Sequence, residues 1–173
     1  MRIMLQQVGN TGRDLIRELQ TRLERSFGCP LELVVPVVDI GKAFDESRNQ
    51  YKASVLLAML AAEGNPSDRK VLGIADVDLY DDGLNYVFGE AEKSCGVALV
   101  SLARLRQEFY TLPSDETLFL DRATKESIHE LGHTFGLGHC SDATCVMYFS
   151  QCLADTDWKR AEFCSQCRPN LIV

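Results

Sequence analysis

The chain holds three histidines, and His129, His133 and His139 all fall within one 11-residue window of its 173 residues. In ATKESIHELGHTFGLGHC (123–140) they stand as His-Glu-x-x-His-x-x-Gly-x-x-His. Ala123, Ile128, Leu131 and Phe135 mark an apolar stripe, so the segment reads as a helix, with Asp121 as its expected N-cap. Residues four apart on a helix lie about 40° apart around the axis, which aims His129 and His133 at one ion. Glu130 projects about 100° from His129, too far round to be a third ligand but placed to hydrogen-bond a water held by a metal. Gly136 can adopt the left-handed conformation that ends a helix, which lets the chain turn and bring His139 back to the same point. Three neutral imidazoles with an open fourth position form the ligand set of catalytic zinc, and Glu130 is the candidate general base. Gly132, inside the helix, costs about 1 kcal/mol in propensity relative to Ala, and is expected to allow close packing against the floor of the metal site.

The cysteines point to a second metal. Cys29 and Cys95 stand apart, whereas Cys140, Cys145, Cys152, Cys164 and Cys167 lie in the C-terminal stretch that begins directly after His139. A Cys-x-x-Cys at 164–167 together with Cys140 and Cys145 resembles a four-thiolate structural zinc site, with Cys152 left over. The competing readings are a redox dithiol and buried free thiols. A redox motif is expected at a strand-to-helix junction, and here it follows a polar segment, Asp155 to Phe163, that reads as helical. A metal clip also suits a stretch too short to bury a core of its own.

The histidine pattern followed by Met147 in Cys145-Val-Met147 resembles the metzincin zinc peptidases, whose signature adds a methionine-bearing turn to these ligands. Joined to His139-Cys140 and to the distal Cys-x-x-Cys, it is similar to the archaemetzincin family. That resemblance covers residues 129–167 by motif and is compatible with the pattern of the rest. It implies zinc-dependent peptide hydrolysis, Met147 as an apolar floor beneath the catalytic zinc, and a second zinc on Cys140, Cys145, Cys164 and Cys167. It also implies a substrate lying antiparallel to an upper edge strand, to which LNYVF (84–88) is assigned by position, and no pro-segment. Some metzincins place a zinc-reaching tyrosine two residues after the methionine. Here that position is Phe149, and Tyr148 is one short, so the role is not carried over.

The upstream residues must build a frame for this helix. RIMLQQV (2–8) reads as a strand, followed by a helix capped by Asn10 or Thr11, with Leu15, Ile16, Leu19 and Leu23 on one face and Gly28 as its stop. LELVVPVVDI (31–40) reads as a second strand, with Pro36 suggesting an edge or a bulge. A helix opening at Asp45 or Ser47 then carries Tyr51, Val55, Leu56, Met59 and Leu60 to a stop at Gly64 and Asn65. KVLGIADVDL (70–79), LNYVF (84–88) and CGVALVSL (95–102) are read as three further strands, the last as a doubly covered one. Long connections favour parallel pairing of the first three strands, and the short link across Asp81, Asp82 and Gly83 lets the fourth run antiparallel. The expected fold is therefore α/β, of the α+β zincin-like kind. It has a mixed, mostly parallel twisted sheet with packed helices, an active-site helix and a small zinc-stapled C-terminal subdomain. Residues 1–173 are expected to form a single metallopeptidase domain, divided into 1–138 and 139–173.

Lys+Arg 18 against Asp+Glu 25 gives a net charge of -7, which argues against nucleic acid or an anionic membrane as the partner. A zinc-knuckle nucleic-acid binder fails on the same ground, since residues 140–173 hold Lys159, Arg160 and Arg168 against Asp142, Asp155, Asp157 and Glu162. The acidic run Asp76 to Gly83 lacks the ligand spacing of a calcium loop, because Tyr80 and Asp81 stand where an oxygen ligand and glycine are needed. No signal-peptide core and no apolar stretch long enough to span a bilayer is seen. The expectation is a cytoplasmic monomer carrying two zinc ions, one catalytic and one structural, and acting on peptide or protein substrates. The alternative is a non-catalytic zinc protein that binds a peptide or a partner through a degenerate cleft. Intact Glu130 speaks against it, because a binding module has no use for a base beside the metal.

Overall fold

Alternating burial along Arg2–Val8 makes β1 a strand with two covered faces, and the remaining framework follows from it. The computed structural model describes residues 2–62 and 69–171, and of 35–37 the backbone alone. After β1 come α1 (Arg13–Phe27), β2 (Leu31–Val38), the short β3 (Phe44–Asp45) and β4 (Gln50–Lys52), and α2 (Ala53–Ala62). β5 (Arg69–Ala75), β6 (Leu79–Tyr80), β7 (Gly89–Glu92) and β8 (Val97–Ser101) precede α3 (Glu116–Thr134) and α4 (Leu153–Trp158).

The main sheet has the order β2-β1-β5-β8-β7, and β3, β4 and β6 form a small second sheet. β1 pairs in parallel with β2 and β5, and β5 with β8, while β7 runs antiparallel along the outside of β8. This is the mixed, mostly parallel sheet that the connection lengths require. Its strands bury both faces. Ile3, Leu5, Leu72, Ile74, Ala98 and Val100 pack with α1 and α3, and Val8, Val71, Ala75, Val97 and Leu99 pack with α2. The period-2 alternation of a strand sorts neighbouring residues between the two cores. β2 is an edge strand, and the β1–β2 pairing shifts register between Gln6 and Val8, in keeping with the proline at 36.

The structure moves several boundaries. Neither Asn10 nor Thr11 caps α1: Gly12 does so, and the Thr11 hydroxyl instead donates to Val8 O and Ile74 O at 3.1 and 3.0 Å. The helix expected from Asp45 begins only at Ala53. Residues 44–52 form a tight antiparallel pair turned by Asn49 at φ 53°, with Asp45 accepting from the Ser47 N–H at 3.0 Å. The expected stop at Gly64 and Asn65 lies outside the described residues. The apolar run 70–79 is broken after Ala75, because Asp76 and Asp78 turn to the guanidinium groups of Arg106 and Arg104 at 2.9 and 2.8 Å. These ion pairs also explain the acidic run without calcium.

LNYVF is not a strand. Only Val87 bridges, to Leu79, while Arg48 donates to the carbonyls of Leu84 and Asn85, and Gln50 also donates to Asn85 O. Side chains thus hold carbonyls that a ladder would need, and the antiparallel edge strand is Gly89–Glu92 instead. α3 starts earlier than expected, at an Asp115 cap whose carboxylate accepts from the Leu118 N–H at 2.9 Å. Asp121 lies inside the helix and pairs with Lys125. The polar segment after residue 154 is helical only to Trp158, since Lys159 leaves the helix in an extended conformation.

Gly73 sits at the centre of β5, where a Cβ would lie 2.6 Å from Leu60 Cδ1 and 3.0 Å from Val8 Cγ2. Gly73→Ala should overpack the α2 side of the sheet and lower unfolding free energy by about 1–3 kcal/mol, measured by urea denaturation.

Candidate active site

α3 ends because Gly136, at φ 94°, reverses the chain, and the Leu137 N–H donates back to Gly132 O at 3.1 Å. That turn returns His139 to the helix. The donor atoms of His129, His133 and His139 all lie within 4.8 Å of one another. Two of the rings are oriented by backbone carbonyls: His129 Nδ1 meets Val146 O at 2.8 Å and His133 Nδ1 meets Leu137 O at 2.9 Å. A carbonyl accepts only, so each Nδ1 carries the proton and each Nε2 is left as a bare lone pair. These two Nε2 atoms stand 3.0 Å apart. Two lone pairs that close repel unless a cation lies between them, and zinc with Zn–N of about 2.0–2.1 Å suits that spacing. Burial, the Lys159 charge and the neighbouring imidazoles pull His129 well below the usual histidine range, and burial with His133 and Lys159 pulls His139 down. Both shifts favour the neutral imidazole, the form that ligates metal.

Glu130 lies one position round the helix, only 6% exposed. Edge strand β7 crosses directly over it at Gly89, where a Cβ would come 2.6 Å from Glu130 Cγ. Only glycine leaves space for the carboxyl at that crossing. Burial and the charge of Glu126 push Glu130 well above the usual carboxylate range, with Lys159 opposing. Beneath the helix, Met147 is fully buried, and a Cβ on Gly132 would collide with its Sδ. The turn carrying Met147 is tied to both halves of the histidine cluster, through Val146 O to His129 and through Met147 O, which accepts from the Cys140 N–H at 2.9 Å. Phe149 is exposed and packs on the His139 ring at 4.8 Å between centroids, while Tyr148 turns its carbonyl toward Lys159.

Four of the seven cysteines converge. The sulfurs of Cys140, Cys145, Cys164 and Cys167 all lie within 4.8 Å of one another, and Cys140 Sγ is 3.8 Å from Cys164 Sγ. That is far beyond a disulfide bond and close to the sulfur spacing of a tetrahedral site with Zn–S of about 2.3 Å. Burial raises the Cys145 and Cys167 thiols, whereas backbone N–H groups around Cys164 draw it down to about 7. Cys152 is exposed at the start of α4, and Cys29 and Cys95 stay apart from the cluster.

A cleft of about 770 Å³ opens beside His129 and Glu130, between the loop before β7 and the Phe149–Gln151 segment. One feature of its surroundings left no periodic or motif signal. Lys159 is wholly buried, its Nζ 2.9 Å from Glu126 Oε1 and 3.5 Å from Tyr148 O, and the Thr156 hydroxyl donates to the same Glu126 oxygen at 3.0 Å. Gly89 and Glu126 were equally invisible as site residues, although Glu126 lies one helical turn before Glu130 and so shares its face.

The profile of peptidase family M54 matches residues 3–172. The chain belongs to that family. An archaemetzincin from Methanocaldococcus jannaschii is 41% identical over 173 residues, covering 99% of this chain and 93% of the relative. One from Pyrococcus furiosus is 40% identical over 171 residues, covering 95% and 89%. A solved zinc-dependent peptidase from Methanocorpusculum labreanum superposes with a TM-score of 0.90 at 33% identity, over 98% of this chain and 100% of that one. The archaemetzincin of Archaeoglobus fulgidus, solved in complex with malonate, gives 0.84 at 34% identity, over 98% and 99%. This M54 chain is accordingly a zinc metallopeptidase with the archaemetzincin fold, and its histidine and cysteine groups are its candidate metal sites. Among the described residues, no helix of the M54 chain is long and apolar enough to cross a membrane.

The buried pair gives a stability test. Lys159→Met should strand the Glu126 carboxylate and cost about 3–5 kcal/mol in urea denaturation, because an unpartnered buried charge is expensive. The double variant Glu126→Gln, Lys159→Met should recover most of that loss.

Proposed function

We propose that His129, His133 and His139 hold the catalytic zinc of this peptidase and that Glu130 is its general base. The observation that supports this most is the pair of bare Nε2 atoms 3.0 Å apart, each fixed by a carbonyl behind it, with a buried carboxyl alongside. When bound there, zinc supplies Lewis-acid polarisation of a peptide carbonyl and makes water more acidic. Glu130 accepts the proton of the attacking water and delivers it to the leaving amine. Gly89 keeps the overlying strand close enough to exclude bulk water from that carboxyl. Met147 gives the site an apolar floor, against which Gly132 lets the helix settle.

Cys140, Cys145, Cys164 and Cys167 are read as the ligands of a second, structural zinc, so the chain would carry two. With four thiolates and no open position, that site staples the C-terminal stretch and fixes Cys140 next to His139. On this reading residues 1–173 are a single metallopeptidase domain, with 1–138 and 139–173 as its subdomains. The protein acts as a cytoplasmic monomer on peptides or proteins, without a nucleic-acid or membrane partner.

The test is cleavage of a mixed library of unstructured peptides by the zinc-loaded protein, read by mass spectrometry beside Glu130→Ala. The variant should keep its zinc and lose about 10²–10⁴-fold in turnover. Equal cleavage by both proteins would remove Glu130 from the mechanism, and no cleavage by either would favour a non-catalytic peptide-binding role. Metal analysis should find two zinc ions in the native chain and one in Cys164→Ser, Cys167→Ser, with a lower Tm for that variant.

A further inference from the structure

Phe109, Tyr110 and Leu112 are large apolar side chains at 43, 39 and 52% exposure, close together in the segment joining β8 to α3. Lone apolar residues on a surface need no explanation, but a contiguous run that the fold leaves uncovered marks a contact site. The backbone holds this run in one shape. Thr111 turns the chain at φ 61°, and among the described residues it is the one β-branched side chain at positive φ. The Thr111 N–H donates to Glu108 O at 3.0 Å and the Leu112 N–H to Gln107 O at 3.2 Å, while the Tyr110 hydroxyl donates to Arg104 O at 3.2 Å. Glycine would relieve the crowding that a branched side chain meets there, so the threonine is backbone strain retained in a closed, stiff turn.

The run is continuous with the cleft beside Glu130. Tyr86 lines that cleft, and its hydroxyl donates to Gln151 O at 3.4 Å. The Arg104 guanidinium lies 4.3 Å from the Tyr86 ring centre and 4.7 Å from that of Phe109, whose ring is 5.2 Å from the Tyr110 ring. Arg104 also donates from Nε and Nη2 to the two oxygens of Asp78 at 2.5 and 2.8 Å, so its charge is balanced. Tyr86, Arg104, Phe109 and Tyr110 thus connect the cleft to the loop as one strip that offers apolar contact and not an ion pair. Leu84 and Phe149, exposed at 55 and 51%, continue that character inside the cleft. Three half-exposed side chains fall well short of the roughly 800 Å² per partner that a stable dimer covers. A net charge of -7 also opposes self-association. A chain already lying in the cleft needs no such area, because the strip adds to contacts made there.

We propose that Tyr86, Phe109, Tyr110 and Leu112 form a docking strip for the substrate chain. It takes up an aromatic or large aliphatic side chain about three to six residues from the scissile bond, on one side of it, at about 3.3 Å per extended residue. The inference rests on the reading of this cleft as the catalytic one. The strip touches no reacting atom, so its contacts act on KM and not on kcat. It suits the protein to extended chains, because a dipeptide or tripeptide does not reach from the bond to the strip.

The experiment uses the zinc-loaded full chain and peptides built on one cleaved core sequence, with Phe, Leu, Ser or Asp at each position from the second to the seventh on either side of the scissile bond. At one position beyond the second, on one side only, kcat/KM for Phe or Leu should exceed that for Ser by about tenfold, with the gain carried by KM. Phe109→Ser should shrink that ratio by about tenfold, and Leu112→Ser, a second exposed site, should shrink it as well. Each ratio is taken within one protein, so a general loss of activity cancels. Equal rates for Phe and Ser at all these positions, a preference carried by kcat, or a preference that survives both variants overturns the proposal. Calorimetry on Glu130→Ala gives a readout without turnover, with the Phe peptide binding about tenfold more tightly than the Ser peptide and that advantage lost when Phe109→Ser is added. Sedimentation velocity tests the other occupant: a dimer that Phe109→Ser dissociates would assign the strip to a second copy of the chain and overturn the substrate assignment. If no peptide is cleaved, the peptidase reading fails by itself. Calorimetry with Ser-rich peptides that carry or lack Phe then still decides the strip, since equal binding overturns it and Phe-dependent binding that Phe109→Ser removes supports it.

Discussion

Two imidazoles one helical turn apart, each tied through Nδ1 to a backbone carbonyl, set the terms for everything around them. His129 is held by Val146 O at 2.8 Å and His133 by Leu137 O at 2.9 Å. Neither carbonyl belongs to the helical part of α3. The first comes from the turn that carries Met147, and the second from the reversal at Gly136. Both bare Nε2 atoms can face one point only if those two segments are in place, so the C-terminal stretch must be docked before the cluster has its shape. Cys140, next in sequence to His139, is likewise drawn into the thiol group by folding of the same stretch.

Val146 and Met147 dock that stretch in the main core, with Leu153 and Phe163 packed against it, and polar contacts fix its position. The α3 face turned toward α4 carries Arg122, Lys125 and Glu126. Arg122 reaches both oxygens of Asp157 at 2.6 and 2.7 Å, Lys125 reaches Asp157 O at 3.2 Å, and Glu126 takes Lys159 and Thr156. A buried pair such as Lys159 and Glu126 gives little net stability, since desolvation offsets most of the attraction. It does fix geometry, because any slip leaves a charge unpaired in the interior. Here it sets the height of Tyr148 and hence of Phe149 and Ser150, which wall the cleft. The segment that places Met147 under the helix therefore also shapes the space beside Glu130.

Local sequence was a good guide where one short-range pattern decided the outcome. The stripe Ile16, Leu19, Leu23 and Phe27 forms α1 and stops at Gly28 in the left-handed region at φ 73°. The expectation that Gly132 makes room for the floor of the site agrees with Met147 lying where its Cβ would be. The guide failed where long-range partners intervened. LNYVF has the alternation of a strand, but Arg48 and Gln50 take its carbonyls. GEAE has none of the usual strand residues, yet it becomes the edge because β8 offers it a ladder and Gly89 can pass over Glu130. Asp121 resembles a cap, but Asp115 lies at the true start and takes that role.

Local spacing settles which residues could meet: three histidines at helical and glycine-turn spacing, a glutamate beside them, and cysteines in two pairs. These depend on helix periodicity and on one glycine's freedom at positive φ, both of which are local. Their surroundings come from long-range packing. The carbonyls that fix the imidazole tautomers, the Lys159–Glu126 pair and the glycine that admits Glu130 under β7 all join segments far apart in the chain. No residue type or spacing encodes such meetings, because each depends on how the sheet, α3 and the C-terminal stretch close on one another and exclude water.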